Sequence, residues 1–296
     1  MKVFGICGSP RNNTTYYVLK EALDKLNNHG FETGLFSCFG KDIGPCMHCD
    51  YCLEHKKCIS HDDMLEVYEK LQQCDGLILA TPVQSGGISS NLSAIMDRTR
   101  ALEAVDYNIL RGKIGMSIAV GGDRTGGQDF AHLKNITYFM IHGIIPVSGG
   151  PFGSNLGASF WSRDSIEDIK KDNYGFESLN RTLAEFEKFL QTFPDGSMEK
   201  LAFEMLYWTG MRAGELIGLF LKDFDLDKGI VSINKSAYVE NGRTFFTRTK
   251  TISSNRVIDI PQFLVNDIEN YLNILKCKNP EIQIFDTSVA KLSYLI

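Results

Sequence analysis

Lys2-Val3-Phe4-Gly5-Ile6-Cys7-Gly8 is a short apolar run, and the polar turn Ser9-Pro10-Arg11-Asn12-Asn13-Thr14-Thr15 follows it directly. Beyond the turn, Tyr17, Leu19, Ala22, Leu23 and Leu26 keep helical spacing, so the stretch predicts a strand, a turn and a helix. The same order then repeats along the chain. Strands are expected near residues 33–38, 76–81, 114–120 and 144–147, and helices near 62–74, 90–102, 128–142 and 177–191. Five apolar strands alternating with five helices require a parallel sheet covered on both faces, because each crossover must return the chain in the same direction. A doubly wound α/β domain over residues 1–193 is the expected result, with ligands beyond the carboxyl ends of the strands.

Three loops fall at those ends. In the first, Ser9, Arg11, Asn13, Thr14 and Thr15 offer hydroxyls, an amide, a guanidinium and exposed backbone N–H groups at a helix start, which together make an anion cradle. Its spacing is neither a Walker loop nor Gly-x-Gly-x-x-Gly, so a terminal monophosphate suits it better than a triphosphate. The plain alternative is an N-capping turn using Asn13 or Thr14. The second loop contains Pro82, Val83, Gln84, Ser85 and Gly86, and the third contains Gly121, Gly122, Asp123, Gly126 and Gly127. Glycines in both let backbone approach a flat ring, although glycines also end strands for conformational reasons alone. The three loops read as one site, with phosphate at the first and a ring between the other two.

Cys46, Cys49, Cys52 and Cys58 lie in thirteen residues between the second strand and the next helix. Thiolates two residues apart can bend around one face of a [4Fe-4S] cubane, and a fourth nearby can close it. Zinc is the competing ion, since His48 and His55 lie inside the run, and free thiols are the plain reading. A disulfide framework fits badly in a chain of this length with no signal-peptide pattern at its start. Cys7, Cys38, Cys74 and Cys277 are scattered among apolar neighbours and read as small core residues.

The 296 residues carry a formal charge of −5, which argues against a general nucleic-acid coat protein. Residues 197–296 hold 12 Lys+Arg and 12 Asp+Glu, so the acidic excess lies entirely before them. All six histidines precede residue 143, and no apolar run approaches a membrane helix. A cytoplasmic protein with no membrane association is expected.

On Gly8-Ser9-Pro10-Arg11, the cysteine run followed by Asp62-Asp63-Met64, Thr81-Pro82-Val83, Asp97-Arg98 and Gly126-Gly127-Gln128, residues 1–192 resemble the iron-sulfur flavoproteins. These belong to the NADPH-dependent FMN reductase group of flavodoxin-like proteins. The resemblance implies a flavin-dependent oxidoreductase that binds FMN and carries a [4Fe-4S] cluster on Cys46, Cys49, Cys52 and Cys58. It assigns the phosphate to Ser9, Arg11, Asn13, Thr14 and Thr15, and the isoalloxazine to residues 82–86 and 121–127. It further implies a homodimer or tetramer, with ferredoxin or NAD(P)H as electron donor. Gln84-Ser85 departs from the family, whose members usually place aromatic residues there, and Ser93 stands where a lysine is frequent. A flavin-only NAD(P)H-dependent reductase of FMN or quinones is the alternative enzyme. No general acid or base is expected; His132 and His142 read as helix packing or surface residues.

After the turn residues at 194–197 the composition changes. Helices near 199–208 and 214–221 are expected, then strands at 231–234 and 244–249 alternating around Asn241-Gly242 as a hairpin. Thr209-Gly210-Met211-Arg212-Ala213-Gly214-Glu215-Leu216 and Thr249-Lys250-Thr251, with Ser254 and Arg256, resemble the front half of a phage-type tyrosine recombinase catalytic domain. That resemblance implies a phosphate-holding role for Arg212 and proton donation by Lys250. The family's later His-x-x-Arg motif has no counterpart in a tail without histidine, and neither Tyr271 nor Tyr294 has a nucleophile's context. The segment is expected to be an inactive appendage or small docking module, with weak DNA binding in a redox-responsive protein as the remaining alternative.

Overall fold

β1 (Lys2–Cys7) sorts its side chains by parity: Val3 and Cys7 join one apolar cluster, Phe4 and Ile6 another, as a strand buried on both faces must. Gly5 shares the first face, where an added Cβ would lie 2.9 Å from Leu19 and Leu23 of α1 (Thr14–Asn28). The missing side chain lets that helix sit close to the strand. The computed structural model describes residues 1–192, 196–240, 243–248, 255–276 and 279–287. The chain divides into two units, Met1–Leu190 and Gln191–Ile296.

In the first unit the chain continues through β2 (Glu32–Ser37), α2 (Tyr51–His55), α3 (Met64–Gln73), β3 (Gly76–Pro82), α4 (Ser90–Arg98), α5 (Arg100–Glu103) and β4 (Ile114–Gly121). It ends with α6 (Gln128–Ile141), β5 (Ile145–Val147), β6 (Ala158–Trp161), α7 (Ile166–Ile169) and α8 (Asn173–Thr192). The parallel sheet has the order β2-β1-β3-β4-β5, the doubly wound flavodoxin-like arrangement expected from the alternation. Leu19, Leu23, Leu179, Leu183 and Phe186 from α1 and α8 cover one face, and residues of α3, α4 and α6 cover the other. Each fully buried Leu or Phe contributes about 1.5–3 kcal/mol.

Two departures from the expected elements matter for the site. The fifth strand position is shared: β5 pairs with Ile114–Met116 of β4, and β6 pairs with the remainder, ending at Gly121↔Trp161. β6 has four residues, too few for alternation to register in the sequence. The single helix expected over 90–102 is instead α4 and α5, joined at Thr99, whose hydroxyl donates back to the Met96 carbonyl at 2.7 Å.

The second unit builds its core from α9 (Met198–Thr209), α10 (Ala213–Ile217) and a 3-10 turn at Leu221–Asp223. β7 (Phe224–Asp225), β8 (Ile230–Ile233), β9 (Lys235–Glu240), β10 (Arg243–Arg248), β11 (Arg256–Asp259) and α11 (Gln262–Leu275) follow. The strand near 231–234 is not the hairpin partner of β10. That partner is β9, with Glu240 opposite Arg243, while β8 sits between β7 and β11. Pairing with the immediately preceding strand closes a far shorter loop than pairing with residues 231–234 would. Asn241, Gly242, Thr249, Lys250, Thr251, Ser254, Cys277 and Tyr294 lie outside the described residues.

Candidate functional site

The order 2-1-3 places the switch point of the sheet between β1 and β3, and the two loops that leave those strands meet there. The Gly8 N–H donates to the Ala80 carbonyl at 2.8 Å, and the Ser89 hydroxyl donates to the Gly8 carbonyl at 2.6 Å. An added Cβ at Gly8 would lie 2.7 Å from Leu92 Cβ and Ser89 Oγ, so only glycine lets α4 brace the loop this closely. Within the loop, Ser9 Oγ donates to the Arg11 carbonyl at 2.8 Å, and the Arg11 N–H returns to Ser9 Oγ at 3.1 Å. Asn13 precedes α1 without a side-chain cap bond, so its side chain leaves the amides of the helix's first turn uncapped, and Asn13, Thr14 and Thr15 all border the cleft. An uncapped helix start beside hydroxyls and a guanidinium suits an anion in kind.

A cleft of about 380 Å³ opens over the cradle. Ser9, Arg11, Asn13, Thr14 and Thr15 line it, together with Pro82, Val83, Gln84, Ser85, Gly86, Gly122, Asp123 and Gly126. Two expected residues stand behind it. An added Cβ at Gly121 would collide with the Gln128 amide, which ties the third loop to the Asp123 and Phe160 carbonyls at 2.9 and 3.2 Å. Gly127, at φ 102°, packs on the second loop, with 2.9 Å between its would-be Cβ and Gly86 Cα. The second loop is a tight turn in which Gln84 and Gly87 exchange backbone hydrogen bonds at 2.9 and 3.0 Å. Ser85 and Gly86 occupy its left-handed positions, at φ 49° and 76°.

The sequence reading missed Asp164, which also lines the cleft. Its carboxylate accepts from Arg11 Nη2 at 3.0 Å, so an acid already sits on the cradle's guanidinium. The short β6 carries it there: the Ser162 N–H and hydroxyl both donate to the Gly121 carbonyl, and the turn continues through Arg163 and Asp164 at φ 47° and 56°. Each left-handed residue without glycine costs about 1–3 kcal/mol. A larger cleft of about 910 Å³, lined by Arg124, Phe130, His132, Trp161 and Arg163, also borders the third loop and lacks the cradle. His132 there is wholly buried between Ser117 and Ser159 hydroxyls at 2.7 and 2.9 Å, a packing role as expected, and burial pushes its imidazole down to about 4.

Cys46, Cys49, Cys52 and Cys58 are free thiols that line one small pocket with Arg98 and Arg100. Left-handed residues punctuate the run: His48 between the first two cysteines, Asp50 between the next two and Lys56 before the last. These reversals wrap the backbone around the pocket. Among the described residues, no three His, Cys, Asp or Glu side chains are closed into an ion-holding set. The donors nevertheless suit iron–sulfur ligation in kind and number. Neither histidine in the run lines the pocket, and His55 stacks on Tyr51 with ring centres 3.8 Å apart.

Arg98, with a side chain 1% exposed, holds the loop at both ends, donating to the Gly44 carbonyl at 3.3 Å and to the Cys58 sulfur at 3.5 Å. Its ion pair with Asp62 is bidentate. Burial opposes the charged forms of both partners of Arg98, yet Cys58 is held below the usual thiol range by the Ser60 N–H and Arg98. Asp62 is likewise held below the usual carboxylate range by Arg98 and the Met64 N–H. Arg100 pairs with Asp50 at 2.6 Å, adding a second cation beside the cysteines. Cys7, Cys38 and Cys74 are buried, and burial raises their thiols to about 11, 12 and 11.

In the second unit Glu215 is buried and receives Arg256 through two nitrogens at 3.0 and 2.8 Å, as well as the Arg212 N–H at 2.8 Å. The Arg212 side chain itself is 81% exposed. Tyr271 is buried on α11. Among the described residues no helix is long and apolar enough to cross a membrane.

The model of the NADPH-dependent FMN reductase family matches residues 1–157, and that of the phage integrase family matches 177–285, beginning inside α8. An iron-sulfur flavoprotein of Archaeoglobus fulgidus is 53% identical over 189 residues, covering 64% of this chain and 97% of that protein. Another, from Methanocaldococcus jannaschii, is 47% identical over 193 residues, covering 64% and 98%. The solved structure of RosB with a bound 8-demethyl-8-formylriboflavin-5'-phosphate intermediate has a TM-score of 0.52 at 17% identity, covering 66% of this chain and 81% of that one. That likeness is one of fold.

Proposed function

Because the chain belongs to the NADPH-dependent FMN reductase family and is an FMN-binding, flavin-dependent oxidoreductase, we propose that it passes electrons between FMN and a [4Fe-4S] cluster. The observation that carries the proposal is the four-cysteine pocket, wrapped by left-handed turns and anchored by Arg98 beyond the carboxyl end of β2. When bound, FMN exchanges electrons in pairs or singly and the cluster singly, so the two together convert between the regimes.

The chain's own residues then position and tune. Ser9, Arg11, Asn13, Thr14, Thr15 and the uncapped start of α1 would hold the phosphate. Residues 82–86 and the Gly122, Asp123 and Gly126 stretch would wall the ring, with Gln84 and Ser85 contacting it through polar atoms and no aromatic stack. Cys46, Cys49, Cys52 and Cys58 would ligate the cluster, with Arg98 and Arg100 balancing its negative charge. Electron delivery by NAD(P)H or ferredoxin, and assembly as a homodimer or tetramer in the cytoplasm, complete the reading. Residues 198–296 carry no part of this proposal, and the exposed Arg212 side chain is given no role in it.

Anaerobic purification followed by iron and flavin assay tests the proposal. It expects about four irons and one flavin per chain, with broad visible absorbance bleached by dithionite. Flavin without iron would leave a flavin-only reductase.

A further inference from the structure

We propose that Asp164 is a charge gate on the phosphate cradle: its carboxylate pairs with Arg11 and competes for that guanidinium with an incoming phosphate monoester. The inference rests on the reading that residues 9–15 receive the flavin's phosphate, and it adds an opposing determinant to that site.

The charge balance of the cleft is the first observation. Among the described residues lining it, Arg11 is the one cation, facing the two carboxylates of Asp123 and Asp164. A cleft built for a dianion therefore starts with a net negative lining, and its one guanidinium is engaged at 3.0 Å. The second observation is the cost of that arrangement. Arg163 and Asp164 are consecutive left-handed residues. The turn is fastened by the Asp164 N–H on Ser162 Oγ at 3.1 Å and the Ser162 hydroxyl on the Gly121 carbonyl at 3.1 Å. The Arg163 guanidinium stacks 4.0 Å above the Trp161 ring, which holds it away from the cleft. An ion pair whose partners are 61% and 66% exposed repays little of this in stability. Strain of this kind, kept where a ligand binds, points to a role at the ligand.

The third observation is proximity to the backbone that the phosphate's ring system would approach. An added Cβ at Gly122 would lie 3.3 Å from Asp164 Oδ2, so the carboxylate reaches over the third loop as well as the first. A phosphate entering the cradle must compete for Arg11 and tolerate a nearby like charge. Both effects weaken a phosphorylated flavin and leave an unphosphorylated one untouched. Asp164 thus sets how strongly the site prefers FMN over riboflavin and how readily FMN leaves.

The test titrates the flavin-free full chain with FMN and with riboflavin, following quenching of flavin fluorescence. Asp164→Asn and Asp164→Gly both remove the charge and both suit a left-handed turn, so either can report if the other fails to fold. Both should bind FMN about three- to tenfold more tightly, with riboflavin changed by less than about twofold. Unchanged or weaker FMN binding, equal shifts for the two flavins, or opposite shifts in the two variants would overturn the gate. Arg11→Gln separates this from the underlying reading. It should weaken FMN alone; if it leaves the preference for FMN intact, the phosphate does not sit in the cradle, whatever Asp164 does.

Discussion

Arg98 Nη2 lies 3.5 Å from the Cys58 sulfur while the same guanidinium clasps the Asp62 carboxylate. One buried cation at the end of α4 therefore fixes the last cysteine, the acid that leads into α3 and, through the Gly44 carbonyl, the entry to the cysteine run. Three loop positions depend on a side chain that the loop does not contain.

Arg98→Leu should cost about 1–3 kcal/mol in denaturant unfolding, because it leaves the partly buried Asp62 carboxylate with the Met64 N–H but without its cation. Arg98→Lys should recover only part of that, since an ammonium cannot serve three acceptors in a planar fork. Iron content should fall in both variants while FMN binding persists. Full iron retention in Arg98→Leu would show that the cysteines hold their arrangement unaided.

Stability should decline as pH falls from about 6.5 to about 4. His132 has its folded-state value depressed to about 4 from 6.5 by burial, so in this window the unfolded chain binds a proton that the folded chain refuses. The loss at the lower end is about 3 kcal/mol, and His142, depressed by burial against the pull of Glu103, adds in the same direction. Asp62, held below its ordinary 3.8, contributes stability above that value and loses it as pH falls further. His132→Gln should flatten most of the slope between about pH 6.5 and pH 4 in urea titrations, even if its absolute stability is lower.

Gly127→Ala should separate the second and third loops. Its Cβ would meet Gly86 Cα at 2.9 Å and the Gly86 carbonyl oxygen at 3.1 Å, from a backbone at φ 102°. A stability loss of about 1–3 kcal/mol is expected, with weakened binding of FMN and riboflavin alike, since the ring walls move and the cradle does not. Calorimetry and flavin titration check the two parts.

In the second unit, Glu215→Leu removes the bidentate partner of Arg256 and the acceptor of the Arg212 N–H. With Arg256 partly solvated, the cost should be about 2–3 kcal/mol. Limited proteolysis should find residues 198–296 more readily cleaved in the variant, while the flavin spectrum stays unchanged. Loss of flavin instead would assign Glu215 a part in the first unit's function.

The doubly wound sheet was legible because apolar runs and helical spacing recur from Lys2 to Val147 with punctuation at each strand end. The polar turn between β1 and α1 was legible for a related reason: hydroxyls, an amide and a guanidinium follow an apolar strand directly and precede helical spacing. Asp164 was not, because its position depends on β6, whose four residues reach the cleft by pairing with the far half of β4 rather than by a local pattern. Gly121 and Gly127 looked like lining residues since glycine permits close approach, but what approaches them is Gln128 and Gly86. Arg98 is legible as one half of the Asp97-Arg98 pair, yet its grip on residues 36 and 40 positions away along the chain follows from the tertiary fold and leaves no local pattern.

α4 touches both candidate centres. At its start Ser89 takes its N–H to Thr81 Oγ at 3.0 Å and its hydroxyl to the Gly8 carbonyl, beneath the flavin cleft; at its end Arg98 grips the cysteine loop. Nine residues of helix amount to about 14 Å. The helix is thus a ruler between the cleft and the cysteine loop, and inserting or deleting a residue within it would reset their separation and rotate one end by about 100° relative to the other.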